Sequence, residues 1–343
     1  MDSSKCTQDA LIGIVSRLPA ASLMRFQAVA KCFASLVHDR HFVKLHLQKR
    51  SKYIMLRTLM LGQQGSHFLL LPLSKFLRGS CNGMVCLTSL DGEALIFNPF
   101  IRSHVPLPSL NFEERFDLEL KETFIRCGLG YSLEGKVRED VKIVKLYVYK
   151  FLREDEDEYM NQVFVFSMKS YSWTQINGCP YRVTSNIRLI QAGGALHWIL
   201  QVDEDFSDTI KALDLTTLAF YEVEKPSFGD GLMDQQVLGE LNESLSICCA
   251  HYPSSTMKIW VLKSNADWEM VFSVQSASVD REIVYRPVYR FENRQMLFHS
   301  KDELVLHDVD GTTLKTIQFP GLSSIYEFVV IDDSLLLLGS IRE

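Results

Sequence analysis

The chain has 343 residues, 47% hydrophobic and 23% charged, with 36 basic against 42 acidic side chains and a net charge of −6. That mixture excludes a wholly disordered chain, a collagen-like repeat and a small disulfide-dense scaffold, and its acidic balance argues against generic nucleic-acid binding. At about 100–200 residues per domain, the length predicts two domains, with one large domain as the alternative.

The charge is unevenly placed. Residues 1–52 hold nine Lys or Arg and three acids, a net +6, which leaves −12 for the remainder. This asymmetry predicts two modules with different partners. Residues 1–16 lack the apolar core of a signal peptide, and no run approaches the ~20 apolar residues of a membrane span. A soluble protein of the cytoplasm or nucleus is expected, with no membrane partner. Its eight cysteines include no C-x-x-C pair, so buried thiols are expected. Adjacent Cys248 and Cys249 should point to opposite faces of a strand.

The first fifty residues read as short helices. Leu11, Ile14, Val15 and Leu18 repeat at i, i+3, i+4 and i+7, one helix face. Thr7 or Asp9 can cap that helix, and Pro19 ends it. A second helix holds Leu23 and Phe26, a third Phe33, Leu36 and Val37, and a fourth runs over His41–Leu47. Such a thin bundle has a marginal core, so some of its apolar side chains should stay exposed for a partner.

Asp9–Phe33 resembles an F-box of the plant form. Arg17-Leu18-Pro19, Ser22-Leu23-Met24-Arg25-Phe26 and Val29-Ala30-Lys31 match that motif in order and spacing. Cys6-Thr7 or Thr7-Gln8 stands where the family has Leu-Pro. Gly13 replaces a common Glu, Ala21 a Lys and Phe33 a Trp.

After Lys52 the pattern becomes short alternating strands. Tyr53–Met60 and Phe68–Leu73 come first, and residues 113–122 are the one further place for a short helix. A strand, a polar turn and a second strand then recur. The first strands of these pairs are Ala94–Asn98, Val163–Ser167, Ile210–Asp214, Met257–Leu262 and Leu304–Asp308. Equivalent turn positions Asn98, Ser167, Asp214, Leu262 and Asp308 are spaced by 69, 47, 48 and 46 residues. Intervals of this size mean propeller blades of four strands. Residues 109–125 and the acidic run Glu154–Glu158 are read as the excess in the first interval. Strands left over at both ends, within Tyr53–Leu73 and Tyr326–Gly339, are expected to share a sixth blade and close the ring.

This second part resembles the plant F-box-associated domain. The carriers include Gly79–Leu87, Ile96–Arg102, Leu107-Pro108, Cys127–Tyr131 and Lys142–Lys145. Val163–Ser167, Ser172-Trp173, Gly194–Trp198, Ala212–Leu215 and Ile259–Leu262 continue it in family order. The predicted fold is thus a small all-α F-box, residues 1–50, followed by an all-β propeller of six blades, residues 51–343.

No catalytic or metal-binding motif assembles. His38, Asp39 and His41 read as polar helix ends, His197 as packing, and Glu154–Glu158 as a solvated loop lacking EF-hand spacing. Cys127–Gly130 lacks a third glycine and a following helix, so no nucleotide loop is expected. Gly79–Gly83 is not a nucleophile elbow. The strand glycines and the four tryptophans read as packing between blades. No cofactor is expected.

The two resemblances imply a non-catalytic, target-recruiting subunit of an SCF-type ubiquitin ligase. A Skp-type adaptor would link it to a cullin and a RING subunit. Leu11, Ile14, Val15, Leu18, Pro19, Leu23, Met24, Phe26 and Val29 are the candidate adaptor surface and bundle core together. Residues 109–125, 153–160, 225–236 and 276–287 are candidate contacts for a protein target. A propeller scaffold or decoy that has lost adaptor binding is the alternative, and a propeller enzyme or lectin a third. A role in pollen self-incompatibility is compatible with both modules.

Overall fold

Apolar residues spaced three and four apart give way to alternating ones near Lys52, and the backbone changes with them. In the computed structural model, residues 10–15 (α1), Ala20–Phe26 (α2), Lys31–His38 (α3) and Arg40–Gln48 (α4) are helical. Strand β1 (Lys52–Met60) follows at once. The structure describes residues 10–49, 52–60, 75–89, 92–110, 120–135, 137–151, 158–181, 183, 187–199, 201–202, 205–206, 209–228, 235–264, 267–275, 286–300, 303–308, 310–318 and 322–335. Thr7, Asp9 and the expected strand Phe68–Leu73 lie outside them.

Five antiparallel sheets of four strands come next, each in chain order. Blade one is β2 (Lys75–Cys81), β3 (Met84–Ser89), β4 (Ala94–Asn98) and β5 (Ser103–Pro106). Blade two is β6 (Leu120–Glu134), β7 (Val137–Phe151), β8 (Glu158–Ser167) and β9 (Ser172–Ile176). Blade three has β10 (Ile190–Ala192) and β11 (Ala195–Trp198), then a separate hairpin of β12 (Gln201–Val202) and β13 (Asp205–Phe206), then β14 (Thr209–Asp214) and β15 (Phe220–Glu224). Blade four is β16 (Gln235–Leu241), β17 (Ser244–His251), β18 (Thr256–Ser264) and β19 (Asp267–Gln275). Blade five is β20 (Arg286–Arg290), β21 (Met296–Ser300), β22 (Glu303–His307) and β23 (Thr313–Gln318). The recurring strand pairs of the sequence are the third and fourth strands of these blades.

Ring closure falls to β24 (Leu322–Asp332), which pairs antiparallel with β1 from Lys52↔Asp332 to Met60↔Leu322. The fold is therefore an all-β propeller with few helices. Its blade count corrects the expectation: five four-stranded blades form, and the sixth position holds only the β1–β24 pair among the described residues. On one side Met55 and Ile331 pack with Leu77, Val85 and Leu87 of blade one. On the other, Ile54, Phe328 and Val330 pack with Val288, Leu297 and Leu304 of blade five.

A second correction concerns the long first interval. Leu120–Glu134 is strand, so the helix expected over 113–122 is absent from its described part, and residues 113–119 lie outside the described residues. β6 and β7 have 15 residues each. At ~3.3 Å per residue each spans roughly 50 Å, so the excess is largely a hairpin of long strands.

Burial follows position in the blade. β21 is buried at every residue, because blades cover it on both sides, whereas outermost β23 is mostly exposed. In β4, Ala94, Ile96 and Asn98 are buried and alternate with less buried neighbours. Cys248 and Cys249 lie in different core clusters, on opposite faces of β17 as alternation requires. Seven described cysteines are free thiols. Gly130 on β6 lets blade three close in, since a Cβ there would lie 2.5 Å from Leu215 Cδ1.

Two tryptophans clasp neighbouring blades at their rims. Trp173 Nε1 on β9 donates to Pro108 O at 2.8 Å, and Trp268 Nε1 on β19 donates to Glu224 O at 2.9 Å. Each is the second residue of an outermost strand, reaching the chain at the end of the preceding blade's outermost strand.

Without β24, β1 loses its ladder partner, and blade one loses the strand that packs against Leu77, Val85 and Leu87. Deleting residues 322–343 is expected to abolish cooperative thermal unfolding and to shift the protein into aggregates on size-exclusion chromatography.

Candidate functional site

The helical module divides the nine predicted residues by exposure. Ile14 and Val29 are 66% and 78% exposed, and Leu11, Phe26 and Pro19 are also exposed. Val15 and Leu23 are buried in the core, so they support the surface from beneath. Leu18 and Met24 are half-buried against that core. Phe26 also packs on Phe33, with ring centroids 5.5 Å apart. Helical periodicity brought Leu11, Ile14, Val15 and Leu18 to one stripe, and the stripe straddles the boundary between core and solvent.

Propeller residues complete the core of this bundle. Val15, Ala20, Leu23, Val37, Phe42 and Val43 pack around Leu335, which lies just past β24, with Phe100 and Ile101 from the turn between β4 and β5. Helix α2 has no side-chain cap of its own at Pro19. Its open N–H is taken from a distance: Ala20 N donates to the buried Asp333 carboxylate, 3.2 Å from each oxygen, across 313 positions of sequence. Asn98 Nδ2 on β4 donates to Ser334 O at 3.1 Å and holds that segment down. Gly83 allows it to pass, because a Cβ there would lie 2.2 Å from Ser334 Cβ. Sequence reasoning missed Asp333 and Leu335. The Asp332-Asp333-Ser334 stretch carried no local signal beyond the end of a strand.

Two further contacts bind the bundle internally. His46 Nε2 sits 2.9 Å from Leu18 O, and only a protonated Nε2 can donate there. Asp39 caps α4 by accepting the Phe42 N–H at 2.7 Å, which is the helix-end role read from the sequence.

The blade order places the helical module at one end of the ring. Turns after the first and third strands of each blade share that end, as Phe100 and Ile101 do. Connections after second and fourth strands emerge at the other. The candidate target segments 109–125, 153–160, 225–236 and 276–287 all belong to that opposite end. Their described parts include the starts of β6, β8, β16 and β20, and the remainder lies outside the described residues. Of the acidic run only Glu158, the first residue of β8, is described.

The remaining candidates are structural. His197 is buried in β11, 3.4 Å from the Tyr221 hydroxyl, and burial pushes its pKa down to about 4. Cys127–Gly130 lies inside β6. Among the described residues no group of His, Cys, Asp or Glu converges as a metal site requires.

Burial holds the Asp333 carboxyl above its ordinary value of 3.8, outweighing the Ala20 N–H and His46, which pull it down. The folded state therefore binds the proton more tightly than the unfolded chain. This group's contribution is complete below pH 3.8 and falls as pH rises through the folded value. Asp333→Asn, which keeps an acceptor without charge, is expected to be no less stable at pH 7 and to lose part of the acid-side gain. Asp333→Ala leaves the helix N–H unpaired and should cost about 1 kcal/mol. Thermal unfolding at pH 7 and pH 5 measures both. In the same assay Leu23→Ala should cost roughly 2–5 kcal/mol, and Ile14→Ala less than about 0.5 kcal/mol.

Comparison with known proteins follows the same outline. The model of the F-box associated beta propeller domain matches residues 36–334. The F-box protein CPR1 of Arabidopsis thaliana is 26% identical, over 96% of this chain and 88% of its own. The Arabidopsis F-box protein At4g22390 is 25% identical, over 98% of this chain and 91% of its own. A third, At2g34280, is 23% identical over 88% and 90%. With a helical module whose core the ring completes, and a family match across most of its length, this chain belongs to the F-box proteins that carry an F-box associated beta propeller domain.

Proposed function

We propose that this protein is the target-recruiting subunit of an SCF-type ubiquitin ligase. One observation carries the reading. Of ten large apolar side chains exposed among the described residues, Leu11, Ile14, Phe26 and Val29 all lie on the helical module. Exposed apolar clusters of this kind mark interaction surfaces. The relatives named as F-box proteins support the same assignment.

In this reading a Skp-type adaptor covers Leu11, Ile14, Pro19, Phe26 and Val29, while Val15 and Leu23 hold their helices in place. The adaptor leads to a cullin and a RING subunit. The net +6 of residues 1–52 speeds and orients encounter with an acidic partner. The chain contributes no catalytic group of its own. It acts by proximity, raising the effective concentration of target lysines near the charged conjugating enzyme. A protein target is held at the end of the ring opposite the helical module, where the inter-blade connections gather. The Asp333, Asn98 and Leu335 contacts fix that end relative to the adaptor. The complex works in the cytoplasm or nucleus.

Co-expression with a plant Skp-type adaptor and size-exclusion chromatography tests this. The folded full chain should co-elute with the adaptor. Ile14→Asp combined with Val29→Asp should abolish co-elution and leave the thermal unfolding midpoint within about 2 °C, because both sites are exposed. A folded wild-type chain that fails to co-elute would favour the scaffold or decoy reading.

A further inference from the structure

The ring axis encloses a cavity of about 160 Å³. One enclosed water needs roughly 10–15 Å³ by this measure, so the space suits several waters or a small polyatomic ion. Inner strands wall the cavity, and four arginines stand in the wall: Arg78 on β2, Arg126 on β6, Arg188 shortly before β10 and Arg286 on β20. Two carboxylates join them, Glu240 on β16 and Glu327 on β24. The formal balance of the wall is +2.

Each carboxylate also serves a backbone N–H, and Glu327 is the nearby counter-charge of Arg188 and Arg286. Glu327 Oε2 accepts the Leu77 N–H at 2.7 Å. Glu240 accepts the Glu243 N–H, and burial holds its carboxyl above the usual range. Two arginines are partly committed: Arg78 Nε donates to Thr88 Oγ1 at 2.8 Å, and Arg126 Nη1 donates to Ile125 O at 3.1 Å. Arg188 and Arg286 make no hydrogen bond or ion pair with a described residue. Burial and then Arg188 pull the Arg286 pKa down to about 10 against Glu327, and desolvation lowers that of Arg188, with Glu327 opposing it and Arg78 adding to it. By accessible surface Arg188 is exposed and the other three arginines are half-buried, so the site is open to solvent, and the like charges repel with only part of their excess offset by the two carboxylates.

We propose that this axial cavity is a binding site for a small phosphate-type dianion, with Arg188 and Arg286 as its principal ligands. The excess of two positive charges matches a phosphate dianion, whereas a single carboxylate would leave one unbalanced. Planar guanidinium forks present paired donors that fit phosphate oxygens. At the helical-module end, Arg138 spans from Asn82 Oδ1 in blade one, 2.5 Å away, to Glu243 in blade four, 2.7 Å away, and bars the axis. The anion therefore enters from the end where the target would bind. This site stands whether or not the adaptor reading holds.

The test is thermal unfolding of the full chain, purified without phosphate and titrated with inorganic phosphate or pyrophosphate at constant ionic strength in chloride. A saturable rise in midpoint of several degrees is expected, larger with pyrophosphate if more than one phosphoryl group fits. The double variant Arg188→Gln, Arg286→Gln should lose the rise while its ligand-free midpoint stays level or increases. Glu327→Gln should tighten binding several-fold. If the double variant fails to fold, calorimetric titration of Arg188→Lys with pyrophosphate replaces it, with affinity at least tenfold weaker than wild type expected from loss of the fork. The proposal is overturned if neither anion gives a saturable rise, if the variants bind as the wild type does, or if only a phosphorylated peptide binds.

Discussion

The antiparallel ladder between β1 and β24 is the contact on which the rest of the molecule depends. It joins Lys52 to Asp332 and Met60 to Leu322, and so ties the start of the ring to its end. Closing so long a loop costs chain entropy, though the cost grows only slowly with length. Nine paired positions and two hydrophobic clusters, one toward blade one and one toward blade five, offset it. Each blade leans on the next through clusters such as the one where Leu129 and Ile143 of blade two meet Met84 and Ile96 of blade one. An open ring would leave two such faces wet. Closure therefore couples the stability of all the blades.

The same strand serves the helical module. With the three residues after the ladder's last pair, the chain supplies Asp333, Ser334 and Leu335 to the base of the bundle. A fifty-residue bundle with a marginal core is thereby finished by the propeller. The burial of Leu335 at 0% exposure beside Phe42 and Leu23 makes one hydrophobic unit of two sequence regions that differ sharply in charge.

Much of this was legible because it repeats or is periodic. The third and fourth strands of every blade have nearly the same alternation and spacing, and the four helices show in their apolar intervals. What repeats nowhere was lost. The 15-residue strands of blade two have no counterpart, so polar residues near 120 looked like an insertion. The Asp333 cap has its partner 313 positions away, beyond any local pattern. A helical stripe could nominate Leu11, Ile14, Val15 and Leu18 together but could not say that Val15 turns inward and Ile14 outward. The four axial arginines are dispersed along the sequence, and composition hid them further. The ring sums to an acidic charge while its axis is basic, because a net charge averages over surfaces that never meet.

The Asp333 contact also orders events during synthesis. Residues 10–48 leave the ribosome long before residues 333–335, so the helical module emerges first yet lacks its cap and part of its core until those residues follow. A nascent or prematurely ended chain carries the helical sequence without the completed bundle. Completion of the helical module is thereby made contingent on the last strand of the ring, and a fragment that presents the finished bundle without the finished ring is disfavoured by the fold itself.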